Sequence, residues 1–147
     1  MKRKRCRFLL VALAVILMIA PVLFATGTRE FSGPVNLTIL GTTDIHSNVW
    51  GFSYENDKES TNNGMARIAT YIDEVRSEEP YVILVDNGDT VQGSIMTDDL
   101  YNKREGVHPV ISAMNYLKYD SMTLGNHEYN FGEDLIKRLQ SLADFPI

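Results

Sequence analysis

The chain has 147 residues, 44% hydrophobic and 22% charged, with 14 basic and 19 acidic side chains and a formal charge of −5, a composition typical of a globular protein. The acidic balance argues against general nucleic-acid binding, which needs basic patches that displace counterions from phosphates. The single cysteine, Cys6, rules out an internal disulfide framework and a cluster of thiolate ligands.

Five of the basic residues fall in residues 1–7, "MKRKRCR", and residues 8–25 carry no charge. A basic head, an apolar run and then small residues ("ATG") form the pattern of a secretory signal peptide. The competing reading is an uncleaved membrane anchor, since the run nears the ~18 residues that can span a bilayer. The expected organisation is a leader over 1–27, a linker over 28–34 and a domain over 35–147, with a secreted or periplasmic location. Without the leader, nine basic residues would face 19 acidic ones, so an anionic substrate would need local cations to hold it. The membrane would be met only through the leader.

From residue 35 onward, strand and helix patterns alternate. "VNLTIL" (35–40) predicts a β-branched strand. Residues 64–79 place Met65, Ile68, Ala69, Ile72 and Val75 at helical spacing, and Pro80 stops that helix. "YVILVD" (81–86) is a nearly continuous apolar run, as expected of a strand covered on both faces. A second helix is predicted over 108–119, with Pro109 tolerated in its first turn and Met114, Tyr116 and Leu117 in the core. A third strand is predicted over 121–124, a third helix over 133–143, and the start of a further strand at "FPI". The alternation predicts an α/β fold with a mostly parallel sheet and right-handed crossovers. A sheet ending on a partial strand would expose an edge, so the chain is read as an incomplete part of a longer protein.

Three polar clusters each follow the carboxyl end of a predicted strand, the edge where open α/β sheets bind ligands. Strand one leads into "GTTDIHSN", where Asp44 and His46 lie two apart and project to one side in extended backbone. Strand two leads into "DNGDTVQG", with Asp89 among Gly88, Thr90 and Gly93. Strand three leads into "GNHE", with Asn126, His127 and Glu128 side by side. Carboxylate, imidazole and amide oxygen are ligands for borderline or hard divalent metals such as zinc, manganese or iron. A carboxylate can bridge two metals ~3.5–4 Å apart, a pair suited to clamping a phosphoryl group. Each cluster alone has an ordinary reading as a turn or loop; it is their order and placement together that is specific. His108 is read as a helix cap or a solvent-facing side chain, not a ligand.

D-x-H, G-D-x-x-x-G and G-N-H-E in this order resemble the calcineurin-like metallophosphoesterases. "VDNGDTVQGS", "HPVISAMN" and "LGNHEYNFG" look closer to one branch, the secreted bacterial 2',3'-cyclic-nucleotide 2'-phosphodiesterase/3'-nucleotidases. The resemblance covers residues 35–147 and implies part of an αββα sandwich with two divalent metal ions, hydrolysing nucleotides. It implies that Asp44 and His46 bind the first metal, Asp89 bridges both, and Asn126 binds the second. It implies that His127 is catalytic rather than a ligand and leaves Glu128 the task of holding the loop. Two departures stand out. The family's later histidine motifs are absent, since the only histidines are His46, His108 and His127, so this chain alone should hold the second metal poorly. Ser47 follows His46 where many relatives have glycine, read as a minor loop change. Asn130 stands where many 5'-nucleotidases carry aspartate; its amide is expected to accept a hydrogen bond from the His127 ring, with a turn-shaping role as the alternative. The readings that remain beside the main one are a 5'-nucleotidase or UDP-sugar hydrolase, a sulfur-ester hydrolase on the same scaffold, and an inactive truncated binding fragment. Neither the tyrosines nor Trp50 form a base-stacking group, so base recognition is expected outside this chain.

Overall fold

The computed structural model describes residues 33–53, 56–60 and 64–147. The leader predicted over 1–27 lies outside the described residues, as does most of the 28–34 linker. The chain divides into two units, residues 1–35 and 36–147; the core and the candidate site belong to the second. Among the described residues no helix is long and apolar enough to cross a membrane.

The three predicted strands form one parallel sheet in the order β1–β4–β5. β1 (Thr38–Thr42) pairs with β4 (Val82–Asp86) from Thr38 opposite Val82 to Thr42 opposite Asp86. β5 (Ser121–Met122) is short and pairs with Val85 and Asp86. β1 lies further along the chain than the 35–40 predicted from its β-branched run. Its last residue, Thr42, is fixed by two bonds at the sheet end: its hydroxyl donates to Asp86 Oδ2 at 2.6 Å and lies 3.0 Å from the Tyr119 hydroxyl. Between β1 and the first helix, an antiparallel hairpin pairs β2 (Phe52–Ser53) with β3 (Lys58–Glu59). Its polar, non-alternating sequence gave no signal for it.

Helices α1 (Met65–Glu78), α2 (Pro109–Tyr116) and α3 (Glu133–Leu142) match the predicted segments. A helix begins with unpaired N–H groups, and α1 meets two of them with loop carbonyls: Met65 N–H donates to Asn48 O and Ala66 N–H to Val49 O. The core joins Met65 and Ile72 of α1, Val110, Ile111 and Met114 of α2, and Leu135 and Leu139 of α3 to Leu84 and Met122 of the sheet. A sheet that grows in one direction through right-handed crossovers carries its helices on one face. Accordingly Leu40 packs on the core while Ile39, one residue away, is 63% exposed. The apolar run of β4 predicted cover on both faces. Leu84 is buried, but Ile83 and Val85 on the alternate face are only half-buried among the described residues.

Three expectations are corrected. Tyr116 is 84% exposed: the buried side of α2 runs through Val110, Met114 and Leu117, and at 100° per residue position 116 points away from it. "FPI" forms no strand; Pro146 has no N–H to give a ladder, and the segment contributes one backbone bond, Met122 N–H to Pro146 O at 3.0 Å. His108 neither faces solvent nor caps α2 with its side chain, although its backbone occupies the N-cap position. Its ring is fully buried. Nε2–H donates to Asn102 Oδ1 at 2.9 Å, and Asn102 Nδ2–H donates to Val91 O at 2.8 Å. Asn102 follows a π-helical turn, Met96–Tyr101, that the sequence did not announce.

Burial, and secondarily the Arg138 guanidinium, lowers the His108 pKa to about 4. The folded state therefore holds a neutral ring that the unfolded chain protonates near its ordinary pKa of ~6.5. Stability from the neutral ring is complete above that value and is lost as pH falls toward about 4. We expect unfolding free energy to drop by about 3 kcal/mol more in the parent than in His108→Gln between pH 7 and 4, measured by urea denaturation. Parallel pH profiles would refute the assignment.

Candidate metal centre

The β1–β4 ladder does not stop where the strands stop. Asn87 N–H donates to Thr42 O, Asp44 N–H to Gly88 O, His46 N–H to Asp89 O and Ser47 N–H to Thr90 O, at 2.8–3.1 Å. The loops after the two strands are thereby zipped together while bending sharply. Asp44, His46, Ser47 and Asp89 all take left-handed backbone, with φ of 52°, 48°, 62° and 57°. This conformation costs a non-glycine residue about 1–2 kcal/mol, and such outliers persist where the surroundings over-determine them. Ser47 is therefore more than a minor loop change. It is 3% exposed, its hydroxyl has no partner among the described residues, and its φ of 62° is one that glycine adopts without strain.

Glycine is required where the second and third loops cross. A Cβ on Gly125 would run into the Asp89 carboxylate and backbone nitrogen, and one on Gly88 into the Gly125 backbone. The crossing is fastened by Glu128, which is fully buried. Its Oε1 accepts from Thr90 N–H at 2.7 Å and Val91 N–H at 3.1 Å; its Oε2 accepts from Asp89 N–H at 2.8 Å and Gly125 N–H at 2.7 Å. Beneath lies Asp86, also buried, accepting from Thr42, Thr90 and Gly88 N–H. Burial raises the Asp86 pKa and those three hydrogen bonds oppose the rise.

One ligand atom each from His46, Asp89 and His127 lies within 4.8 Å of the others. Asp44 stands beside this group, its Oδ1 3.7 Å from His46 Nε2. Asn126 starts a short 3-10 turn, His127–Phe131; its side chain is exposed and makes no capping bond. His127 N–H donates to Asp89 Oδ1 at 3.0 Å, and the His46 and His127 rings meet edge to face with centroids 5.2 Å apart. His46 Nδ1 lies 2.8 Å from Gln92 O. A carbonyl only accepts, so Nδ1 carries the hydrogen and the neutral ring has its lone pair on Nε2, the atom near Asp44. The donors are nitrogen and carboxylate oxygen, converge from three loops and include an imidazole locked in the ligating tautomer. This set fits a divalent ion. A cleft of about 370 Å3 lined by Thr42, Asp44, Asn48, Met65 and Ile68 adjoins the group on the Asp44 side.

Sequence reasoning missed Gln92. Its side-chain oxygen lies 2.7 Å from His127 Nδ1 and accepts from Asn130 Nδ2–H at 2.6 Å, while Asn130 Nδ2 is 3.3 Å from the ring. The ring's acceptor is thus Gln92, not Asn130 as expected. Its place within G-D-x-x-x-G was the available signal.

Residues 37–146 match the family model described as calcineurin-like phosphoesterase. The chain belongs to that family. It is 40% identical over 149 residues to the trifunctional nucleotide phosphoesterase protein YfkN of Bacillus subtilis, covering 96% of this chain and 10% of that protein. A crystal structure of YfkN superposes with a TM-score of 0.72 at 44% identity, covering 77% of this chain and 36% of that one. The 2',3'-cyclic-nucleotide 2'-phosphodiesterase/3'-nucleotidase of Yersinia enterocolitica is 39% identical over 132 residues, covering 88% of this chain and 20% of that protein. The 5'-nucleotidase of Bos taurus is 41% identical over 119 residues, covering 78% and 20%. The chain thus spans a tenth to a fifth of the length of these curated relatives. The family implies a divalent metal, in keeping with the donor group at the strand ends.

Two outcomes test the frame. Glu128→Gln turns an NH2 group toward two of the four N–H donors whichever way the amide lies, and should cost about 2–3 kcal/mol of stability by urea denaturation; a variant as stable as the parent would contradict the fastening role. Ser47→Gly should gain about 1 kcal/mol by relieving left-handed strain; a loss would show that the Ser47 side chain contributes packing that outweighs it.

Proposed function

We propose that this chain is the metal-bearing part of a nucleotide phosphoesterase that prefers 2',3'-cyclic and 3'-nucleotides. The observation that carries this reading is the convergence of His46, Asp89 and His127 at the carboxyl ends of parallel strands, on backbone strained at three candidate ligands. Asp44 and His46 would hold one divalent ion, Asp89 would be shared with a second, and Asn126 would offer its side-chain oxygen to that second ion. Zinc, manganese or iron suits this mixed donor set. Bound ions would supply the positive field that the acidic chain lacks and the Lewis acidity that phosphoryl transfer needs.

The chain's own residues orient and move protons. His46, fixed through Nδ1, presents Nε2. His127 sits beside Asp89, its ring orientation set from the Nδ1 side and its Nε2 left to the substrate: when the ring is doubly protonated, Nε2–H donates to a phosphoryl oxygen or protonates the departing ribose oxygen. Glu128 is a structural carboxylate. The similarity to the Yersinia enzyme and the amide at Asn130 support the cyclic and 3' preference; the similarity to the Bos taurus enzyme supports 5'-nucleotides as the second reading. The basic head and apolar run of residues 1–25 support export from the cytoplasm.

In the complete protein Asp89→Asn should lower the content of both metals and reduce turnover more than Asp44→Asn, which should empty chiefly one site. Metal analysis and rates on purified variants decide it, and an Asp89→Asn protein with full metal and near-parental rates would remove the bridging role. Comparing kcat/KM for 2',3'-cyclic AMP, 3'-AMP and 5'-AMP tests the substrate preference. A parent that favours 5'-AMP would overturn the cyclic and 3' assignment.

A further inference from the structure

We propose that Gln92 is a positioning residue for both histidines, and that Asn130 acts on His127 by holding Gln92. This rests on the phosphoesterase reading above. The main-chain carbonyl of Gln92 takes His46 Nδ1 at 2.8 Å, and its side-chain oxygen takes His127 Nδ1 at 2.7 Å. One residue therefore faces the Nδ1 atoms of two rings whose centroids are 5.2 Å apart. Gly93 follows directly, with φ 138° and a position where a Cβ would sit 2.8 Å from His46 Cβ. The turn after Gln92 thus brings its backbone against His46.

The hydrogen-bond chemistry fixes the consequence. Gln92 Oε1 has two lone pairs and only accepts. One takes Asn130 Nδ2–H at 2.6 Å and the other takes the ring. His127 must then carry hydrogen on Nδ1, and in the neutral ring its lone pair lies on Nε2. Asn130, at 3.3 Å from the ring nitrogen, is the poorer direct partner. Its better bond keeps the Gln92 amide turned oxygen-first toward the imidazole. An aspartate at position 130 could not donate and would repel the Gln92 oxygen.

The side chain and the main chain of Gln92 can be tested separately, because substitution leaves the carbonyl on His46 in place. The first measurement is 15N NMR of the ring nitrogens in the metal-free full chain. The parent should show His127 as the Nδ1–H tautomer, Gln92→Leu should move it toward Nε2–H, and Gln92→Glu, which keeps an acceptor, should restore Nδ1–H. An Nε2–H ring in the parent would overturn the proposal, as would no change in Gln92→Leu. Should the leucine variant fail to fold, Gln92→Glu is read alone: Nδ1–H supports the proposal and Nε2–H overturns it. The second measurement is kinetic, on the complete enzyme with 2',3'-cyclic AMP. Gln92→Leu should lower kcat by about 10–100-fold, as loss of an orienting partner does, with KM little changed and kcat recovered in Gln92→Glu. Asn130→Ala should lower kcat in the parent but add little in the Gln92→Leu background, because both changes break one chain of contacts. Additive effects would show that Asn130 acts independently. A parent that hydrolyses no nucleotide would remove the proposed function, and the NMR tautomer would still decide the role of Gln92.

Discussion

The site depends on one buried carboxylate. Glu128 accepts four backbone N–H groups, three from the loop after β4 and one from Gly125 in the loop after β5. Without it those donors would be buried unpaired at a crossing where the two backbones already touch. A charged acceptor suits such a nest of N–H groups because its bonds are stronger than those to a neutral oxygen. The carboxylate thereby does from within the protein what an anion does at a phosphate loop. It leaves Asp89 and His127, on either side of the crossing, facing outward.

A second fastening explains how the backbone tolerates strain. The sheet hydrogen bonds continue past β1 and β4 to Ser47 and Thr90, so each left-handed residue is bonded on its own main chain. Asp44, His46 and Asp89 could not relax without breaking those bonds. The cost is local, and it fixes side-chain direction before any ion arrives, which is the usual way a fold pre-organises a metal site. Gln92 and Asn130 extend the same arrangement to the imidazoles.

Much of this was legible in the residues. The strand–helix alternation gave the parallel sheet, with helix limits within a few residues. The three polar clusters at strand ends marked the candidate site region, because D-x-H, G-D-x-x-x-G and G-N-H-E carry both the candidate ligands and the glycines that let loops cross. What escaped was set by tertiary contact. Tyr116 has the apolar character of a core residue, but its exposure follows from the phase of a helix fixed elsewhere. His108 looked like a surface cap because its partner, Asn102, lies beyond a π-helical turn with no periodic pattern. Gln92 carries no charge and no metal preference, and only the fold brings it to two rings. Ser47 was underrated because φ cannot be read from a side chain.

The central claim is that these loops are shaped to hold divalent ions between Asp44, His46, Asp89 and Asn126. Its most direct test is anomalous diffraction from crystals of the complete protein grown with manganese. The account predicts one peak contacted by Asp44, His46 Nε2 and Asp89 and a second contacted by Asp89 and Asn126, with Glu128 contacting neither. A peak bound by Glu128, or one held by His127 with Asp44 and Asn126 turned away, would contradict it.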